Sequence, residues 1–386
     1  MNDVIQTLAE LVRINSVNPA YEGGEPESLI AAYIRQFFAE RGIEVSEQEV
    51  FPNRPNVLAR IPGCDPSRRI VLEAHVDTAG ISGMEISPFE PLIDGGRLYG
   101  RGACDTKAGV AAMMHALARV AGAGRKPPCE VIFAGAADEE YSYRGVVKLC
   151  EGLRAHAAVV SEPTSLRLVV ATKGCVRFRV CVRGKAAHSS KPWLGVNAVS
   201  NMARVVTAME EDARSLDCTA HPLLGPATFN IGTIRGGTQI NIVPDSCAIE
   251  IDRRLLPGEE PDEVWDYYRR FVELLHDVIP HLDAVVERPL LQDLPLETSP
   301  SAPVAAVASQ VLADLGLDPE PIGVPYGSDA SKLARAGVPS IVFGPGSIDL
   351  AHTANEFVEC DEVGRACEFY HGFILSFEGG SFAQRI

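Results

Sequence analysis

The sequence has little of what membrane-spanning, nucleic-acid-binding or disulfide-rich proteins require. No apolar run approaches the ~20 residues that a transmembrane helix needs. Basic residues are in the minority, with 35 Lys and Arg against 51 Asp and Glu, and the formal net charge is −16. Because nucleic acids and anionic membranes attract clustered basic charge, we expect neither as a partner.

The cysteine pattern does not favour disulfide bonds. No C-x-x-C pair is present, and several of the ten cysteines lie in apolar runs, as Cys181 does. This distribution favours buried free thiols in a reducing compartment.

Residues 3–14 carry apolar side chains at helical spacing without the basic and apolar regions of a secretory signal. We therefore predict an amphipathic first helix and a cytoplasmic protein.

The order of apolar segments predicts two domains, as the length of 386 residues also does. Continuous apolar strands alternate with helices up to residue 160 and again after 295, a pattern typical of a mostly parallel sheet flanked by helices. Between 176 and 287 the order is β-α-β-β-α-β, with strands that alternate in polarity. We predict a first domain of residues 1–174 and 291–386, with a second domain inserted at 175–290.

Residues with metal-binding or acid–base side chains follow four of the predicted first-domain strands. In an open α/β sheet the ligand crevice lies outside the carboxyl ends of the strands, so these residues should meet at one edge. Any one of them alone is more typical of a helix cap or a solvated loop. The strand at 69–74 precedes His75 and Asp77, that at 130–136 precedes Glu139 and Glu140, that at 157–160 precedes Glu162, that at 340–344 precedes Gly346 and His352, and Asp105 precedes a predicted helix at 106–121.

The crowding of carboxylates at this edge predicts bound cations. Unpaired carboxylates placed close together repel one another, so something positive is expected among them. Two histidines and several carboxylates, with no thiolate implied, suit a divalent ion, zinc first and cobalt or manganese next.

Five segments in this order resemble the M20 metallopeptidase family, in particular its acetylornithine deacetylase and succinyl-diaminopimelate desuccinylase members. The resemblance runs from the first helix to about residue 363, and it includes segments of the inserted domain around His188 and Asn197. The set of motifs in this order is far more specific than any one of them. The five segments are His75-Val-Asp77, Gly100-Arg-Gly-Ala-Cys-Asp105-Thr-Lys-Ala-Gly109, Asp138-Glu139-Glu140, Ser161-Glu162-Pro163-Thr164 and Ala351-His352-Thr353.

The resemblance implies two divalent metal ions, with zinc expected first and cobalt or manganese next, and a set of ligands for each ion. Asp105 would bridge both ions, with His75 and Glu162 completing one site and Glu140 and His352 the other. Each ion would keep an open position for nucleophile and substrate.

The resemblance also implies two residues that act beside the ions. Asp77 would accept the second ring N–H of His75 and so fix its tautomer. Glu139 would be the general base that takes a proton from the water activated between the ions and later gives it to the leaving amine.

For the inserted domain, the resemblance implies a lid that also forms a homodimer interface. His188 would stabilise the oxyanion, with action across the dimer interface left open, and Asn241 would assist. Arg254 would bind a free carboxylate of a small-molecule substrate, since its planar fork suits that group. Gly346 would add a backbone N–H donor. The alternative is that Arg254 only pairs with Asp252 or Glu250.

The implied function is metal-dependent hydrolysis of an amide bond in a small N-acyl amino acid, by a deacetylase or desuccinylase. A dipeptidase or carboxypeptidase of the same family is the alternative. An N-carbamoyl amidohydrolase is disfavoured, because that branch normally has His where Glu162 stands. A binding protein without activity would be expected to lack Glu139 or a ligand. Thr172, where relatives often carry His near the substrate, counts against an acetylornithine substrate.

Overall fold

The computed structural model describes residues 3–379 of the chain, which fall into two compact units. The first unit comprises Met1–Val170, Thr298–Ile322 and Ser328–Ile386, and the second comprises Ala171–Glu297 and Gly323–Gly327. The second unit therefore interrupts the sequence of the first. The ends of the predicted first domain, residues 1–2 and 380–386, lie outside the described residues.

The amino-terminal part of the first unit alternates strands and helices. Helix α3 buries Met113, Met114 and Leu117, which recur at helical spacing. The elements in chain order are α1 (Asp3–Arg13), α2 (Ser28–Ala39), β1 (Glu44–Phe51), β2 (Arg54–Ile61), β3 (Asp65–His75), β4 (Leu92–Asp94), β5 (Arg97–Tyr99), α3 (Lys107–Gly122), β6 (Cys129–Ala136), α4 (Arg144–Cys150), β7 (Ala157–Val160) and β8 (Val169–Thr172).

The middle of the chain forms the second unit. Helix α5 begins at an Asn197 cap, whose side chain accepts a 2.9 Å hydrogen bond from the amide of Ser200. The elements are β9 (Gly174–Arg183), α5 (Ala198–Ala213), β10 (Ala220–His221), β11 (Gly225–Pro226), β12 (Thr228–Gly236), β13 (Ser246–Leu255), α6 (Pro261–Leu275), β14 (Asp283–Val286), β15 (Leu291–Asp293) and β16 (Leu296–Glu297), with short 3-10 turns at Pro192–Leu194 and Arg214–Cys218.

The remaining elements close the first unit. Its buried core joins α1, α3, α7 and α9 to the strands through residues such as Leu8, Leu117 and Phe373. The elements are α7 (Pro303–Asp314), β17 (Ile322–Val324), α8 (Ala330–Arg335), β18 (Ser340–Val342), β19 (Phe357–Glu359) and α9 (Cys360–Ser376).

The large sheet of the first unit has a parallel centre and antiparallel flanks. Its strand order runs β1-β2-β6-β3-β7-β18-β8. Strands β6, β3, β7 and β18 are mutually parallel, and β7 and β18 are buried along their whole length. The β1–β2 pair is antiparallel because the short turn after Phe51 reverses the chain directly. The β2–β6 pair is antiparallel as well. The carboxyl ends of four neighbouring strands thus share one edge.

The second unit has an antiparallel sheet with the order β12-β13-β9-β14. Along β13 buried and partly exposed residues alternate, as expected for a sheet with one covered face. Val180, Ile249, Met202 and Tyr268 belong to its core, which the two helices α5 and α6 share with the sheet. The element order β9-α5-β12-β13-α6-β14 is the predicted β-α-β-β-α-β arrangement.

The predicted fold class is confirmed, with additions where the sequence signal is weak. Residues 28–51 form α2 and β1, which the sequence did not predict. No residue of β1 is buried, so the strand lacks a clear apolar pattern. Strand β4 is short and exposed, and no apolar pattern in the sequence predicts it. Within residues 3–379, no helix combines the length and apolar character that crossing a membrane requires.

Candidate metal centre

The shared strand edge collects the predicted side chains. His75 is the last residue of β3, Glu139 and Glu140 follow β6, and Glu162 follows β7. These strands are adjacent in the order β6-β3-β7, so residues far apart in sequence come together where the strands end.

Two groups of potential metal ligands form at this edge. One contains His75, Asp105 and Glu162, all buried, and the other contains Asp105, Glu140 and His352. Within each group the ligand atoms lie within 4.8 Å of one another. The structure therefore brings all five predicted ligands together, with Asp105 common to both groups.

Asp105 presents one carboxylate oxygen to each histidine. Its Oδ1 lies 3.1 Å from Nε2 of His75, and its Oδ2 lies 3.3 Å from Nε2 of His352. The His352 nitrogen is also 3.1 Å from Oε1 of Glu140, and the His75 nitrogen is 4.0 Å from Oε2 of Glu162. Two ligands about 2.1 Å from a tetrahedral zinc ion would be about 3.4 Å apart. The donor types and spacings fit one divalent ion in each group.

The ionisable groups at this edge strongly affect one another's pKa values. Burial raises the pKa of Glu139 well above its usual range, and the nearby carboxylates of Glu162 and Glu140 raise it further. Burial also raises the pKa of Glu162 and Glu140. Burial alone would lower the pKa of His75, but the surrounding carboxylates, Asp105 first, raise it well above its usual range. Positive charge is therefore strongly favoured among these groups.

Asp77 contacts His75 through its main chain, which differs from the predicted contact. The ring Nδ1 of His75 lies 2.9 Å from the carbonyl oxygen of Asp77 and 3.8 Å from its carboxylate. Because a carbonyl only accepts hydrogen bonds, Nδ1 carries a proton, and the neutral ring that binds a metal would use the lone pair of Nε2. The Asp77 carboxylate instead accepts from the amides of Glu139, at 3.0 Å, and Glu140, at 3.1 Å.

Asp77 belongs to a polar network of side chains that no motif in the sequence predicted. The side-chain amide of Asn18 donates to Asp77 Oδ2 at 2.8 Å and to Asp138 Oδ1 at 3.0 Å. Arg54 donates to Asp138 at 2.8 Å and makes two 2.7 Å hydrogen bonds to the buried Glu27. The only signal in the sequence is polar residues beside apolar segments, which is too common to identify partners.

Glu139 lies beside the ligands but belongs to neither group. It is partly buried, and its main chain is fixed by Asp77. A carboxylate next to, but outside, a ligand set is placed to exchange protons with a nucleophile.

The residues predicted to bind substrate lie mostly in the second unit. Nε of Arg254 donates to Asp252 at 2.7 Å, which is the alternative pairing predicted for this arginine. Arg177 donates to the same carboxylate. His188 is exposed, and its Nδ1 lies 2.8 Å from the Ser190 hydroxyl. The carbonyl of Asn241, also exposed, accepts from the amide of Ser189 at 3.0 Å.

Two expectations about substrate contacts meet a different local structure. The amide of Gly346, predicted to donate to substrate, donates to Glu362 in the first turn of α9 at 2.7 Å. Thr172 is fully buried in β8 and its hydroxyl accepts from the amide of Leu296 at 3.2 Å. Thr172 is thus buried in the structure, and its bearing on an acetylornithine substrate stays a prediction.

Comparison with known proteins agrees with this geometry. The sequence pattern of Peptidase family M20/M25/M40 matches residues 71–376. An acetylornithine deacetylase of Myxococcus xanthus is 34% identical over 280 residues, covering 71% of this chain and 70% of that protein. A probable carboxypeptidase of Paracoccidioides brasiliensis is 29% identical over 382 residues, covering 90% and 80%.

A solved structure shares the whole fold. The aminopeptidase PepT of Bacillus cereus aligns with a TM-score of 0.79 and 24% identity, covering 97% of this chain and 98% of that one. At this identity the likeness establishes the architecture and leaves the substrate open.

Proposed function

We propose that this chain, which belongs to Peptidase family M20/M25/M40, is a two-ion hydrolase that cuts the amide bond of a small N-acyl amino acid. The observation that carries the proposal is the carboxylate of Asp105, which faces His75 with one oxygen and His352 with the other. A ligand shared in this way is typical of two-metal hydrolytic sites.

The five grouped residues would hold the ions, and the remaining steps belong to the protein. When bound, two divalent ions polarise the amide carbonyl and lower the pKa of water. Zinc fits the donor set best, with cobalt or manganese as functional substitutes. The ligands would be Asp105 for both ions, His75 and Glu162 for one ion, and Glu140 and His352 for the other.

Glu139 would be the general base. Its carboxylate lies beside the ligand groups without belonging to either, where it could take a proton from water and return it to the leaving amine. Asp77 would hold Glu139 and Glu140 through their amides.

The second unit would supply substrate contacts and a dimer interface. Arg254 would bind the free carboxylate of the substrate while Asp252 orients its guanidinium. His188 would stabilise the oxyanion, and Asn241 would assist. His188 would act either in the site of its own chain or in the site of the neighbouring protomer. The exposed positions of His188 and Asn241 support availability to a ligand. Gly346 would contribute only if its amide left Glu362.

A carboxypeptidase or dipeptidase is the second candidate. Its support is the relative named as a probable carboxypeptidase, which matches 90% of this chain. Both candidates use the same ions and the same base, so only the group on the acyl side of the bond separates them.

A substrate panel tests the proposal. N-acetyl, N-succinyl and N-formyl amino acids and dipeptides are assayed after chelation and again after zinc or cobalt is restored. We expect hydrolysis of an N-acyl amino acid that disappears with the metal and returns with it. Full activity in a chain shown to hold no divalent ion refutes the two-ion proposal, and preference for dipeptides selects the second candidate.

A cytoplasmic location remains part of the proposal. Its support is that all ten cysteines are free, and free thiols persist in reducing compartments.

A further inference from the structure

Glu356 ties the segment that carries His352 to the loop that carries Asp105. Its side chain is fully buried. Its carbonyl oxygen accepts a 3.1 Å hydrogen bond from the amide of Gly100, next to the paired residues Phe357 and Tyr99 of β19 and β5. The main chain at Glu356 is therefore anchored on the strand that leads into the Asp105 loop.

The carboxylate of Glu356 accepts hydrogen bonds from successive donors of that loop. Oε2 accepts from Nη1 of Arg101 at 2.6 Å and from the amide of Gly102 at 3.2 Å. Oε1 accepts from the amides of Cys104 at 2.9 Å and Asp105 at 3.0 Å. Both oxygens are thus fully used as acceptors, and the last donor is the main chain of the shared ligand itself.

From this geometry we propose that Glu356 is a positioning residue for metal binding: it fixes the loop so that the two oxygens of Asp105 reach both ion positions. The inference rests on the proposed two-ion function. Asp105 must present opposite oxygens to His75 and His352, so a small rotation of its main chain would move both oxygens at once. A carboxylate that holds the Asp105 amide opposes that rotation.

Only a carboxylate of this length satisfies the loop. In Glu356→Gln one oxygen becomes an NH₂ group, which would face two N–H donors in a buried site and leave them without an acceptor. In Glu356→Asp the charge stays, but the side chain is one methylene shorter and does not reach all the donors. Glu359→Gln is the matched control, because Glu359 lies on the same segment and pairs with Arg97 at 2.7 Å on a partly exposed surface.

The experiment is a cobalt titration of the metal-depleted full-length chain, followed by the visible absorption of bound cobalt. We expect the parent and Glu359→Gln to bind two cobalt ions per chain with equal affinity. Glu356→Gln should bind both about tenfold or more weakly, with altered absorption per cobalt, while circular dichroism stays that of the parent. Glu356→Asp should fall between them.

Each result decides the proposal. A folded Glu356→Gln chain with the parent's cobalt affinity and spectrum overturns it. If that variant does not fold, Glu356→Asp decides in the same way, and failure of both to fold makes Glu356 a determinant of the fold and overturns a positioning role. A parent chain that takes up no cobalt instead refutes the two-ion function.

Discussion

The main-chain amide of Glu139 donates a 3.0 Å hydrogen bond to the carboxylate of Asp77. The carbonyl oxygen of the same Asp77 lies 2.9 Å from Nδ1 of His75. One residue therefore sets both the position of the proposed base and the tautomer of a proposed ligand, through different atoms. Removing its carboxylate should disturb the base while leaving the contact to His75 intact.

Asp77→Asn tests this division. Its amide group would face N–H donors from Glu139, Glu140 and Asn18, so the turn that carries the base should shift. We expect kcat to fall about 10- to 100-fold, as for other residues that orient a metal site. Steady-state kinetics with bound metal measured in parallel give the result, and Asp94→Asn, on an exposed strand, is the control. A kcat equal to that of the parent would show that Asp77 does not position the base.

Glu139→Gln removes the proton acceptor and keeps the shape. Glu139 belongs to neither ligand group, so the variant should retain two ions while turnover falls by about a hundredfold or more. Metal analysis and kcat are measured on the same preparation, with the exposed Glu151→Gln as control. If turnover stays near the parent's value, Glu139 is only part of a loop.

Ligand substitutions should differ in how many ions they remove. Asp105 is shared between the groups, whereas His75 and His352 each belong to one. We expect Asp105→Ala to lose both ions and His75→Ala or His352→Ala to lose mainly one, measured as metal content per chain after equilibration with limiting zinc. Equal losses in all three variants would contradict a shared ligand.

Arg254→Lys tests recognition of the substrate carboxylate. Lysine keeps the charge but loses the planar fork, so we expect kcat/KM to fall by an amount equivalent to about 2 kcal/mol. The informative comparison is an N-acyl amino acid against its primary amide, in the parent and in Arg254→Ala. The parent should prefer the acid, and the variant should lose that preference. An unchanged preference leaves Arg254 with a structural role only, as the partner of Asp252.

Asp329 should make stability depend on pH. It is buried beside Glu73, and a hydrogen bond between the two carboxyl groups requires a proton on one of them. Burial raises the pKa of Asp329 to about 6, against about 3.9 in an unfolded chain. The stability that its proton contributes is present below about pH 4 and is lost as the pH rises through about 6.

Asp329→Asn should remove the part of this dependence that Asp329 contributes. The amide is neutral and can donate to Glu73, so the metal-depleted variant should be about 1–2 kcal/mol more stable than the parent at pH 8, with a smaller difference at pH 4. Urea unfolding at both pH values measures this, and Asp94→Asn is again the control. A variant that is less stable at pH 8 would show that the buried pair stabilises the fold in its charged form.

The fold class and the grouping of the candidate ligands could be predicted from the order of residue types alone. Buried strands such as β7 need uninterrupted apolar residues, and the parallel arrangement of β3, β6 and β7 places whatever follows them at one edge. His75, Glu140 and Glu162 could therefore be predicted as neighbours without coordinates. The edge strand β1 could not be predicted, because a strand without buried residues has no distinctive apolar pattern.

Which atoms come into contact could be read only from the folded chain. Asp77 contacts His75 through its carbonyl rather than its carboxylate. The amide of Gly346 donates to Glu362, and Thr172 is buried. Glu356 reaches the Asp105 loop from 251 residues away in the sequence. Residue types and spacing set which groups can bond, but a hydrogen bond also requires a distance near 3 Å and a direction, and these depend on how loops from separate strands close over one another.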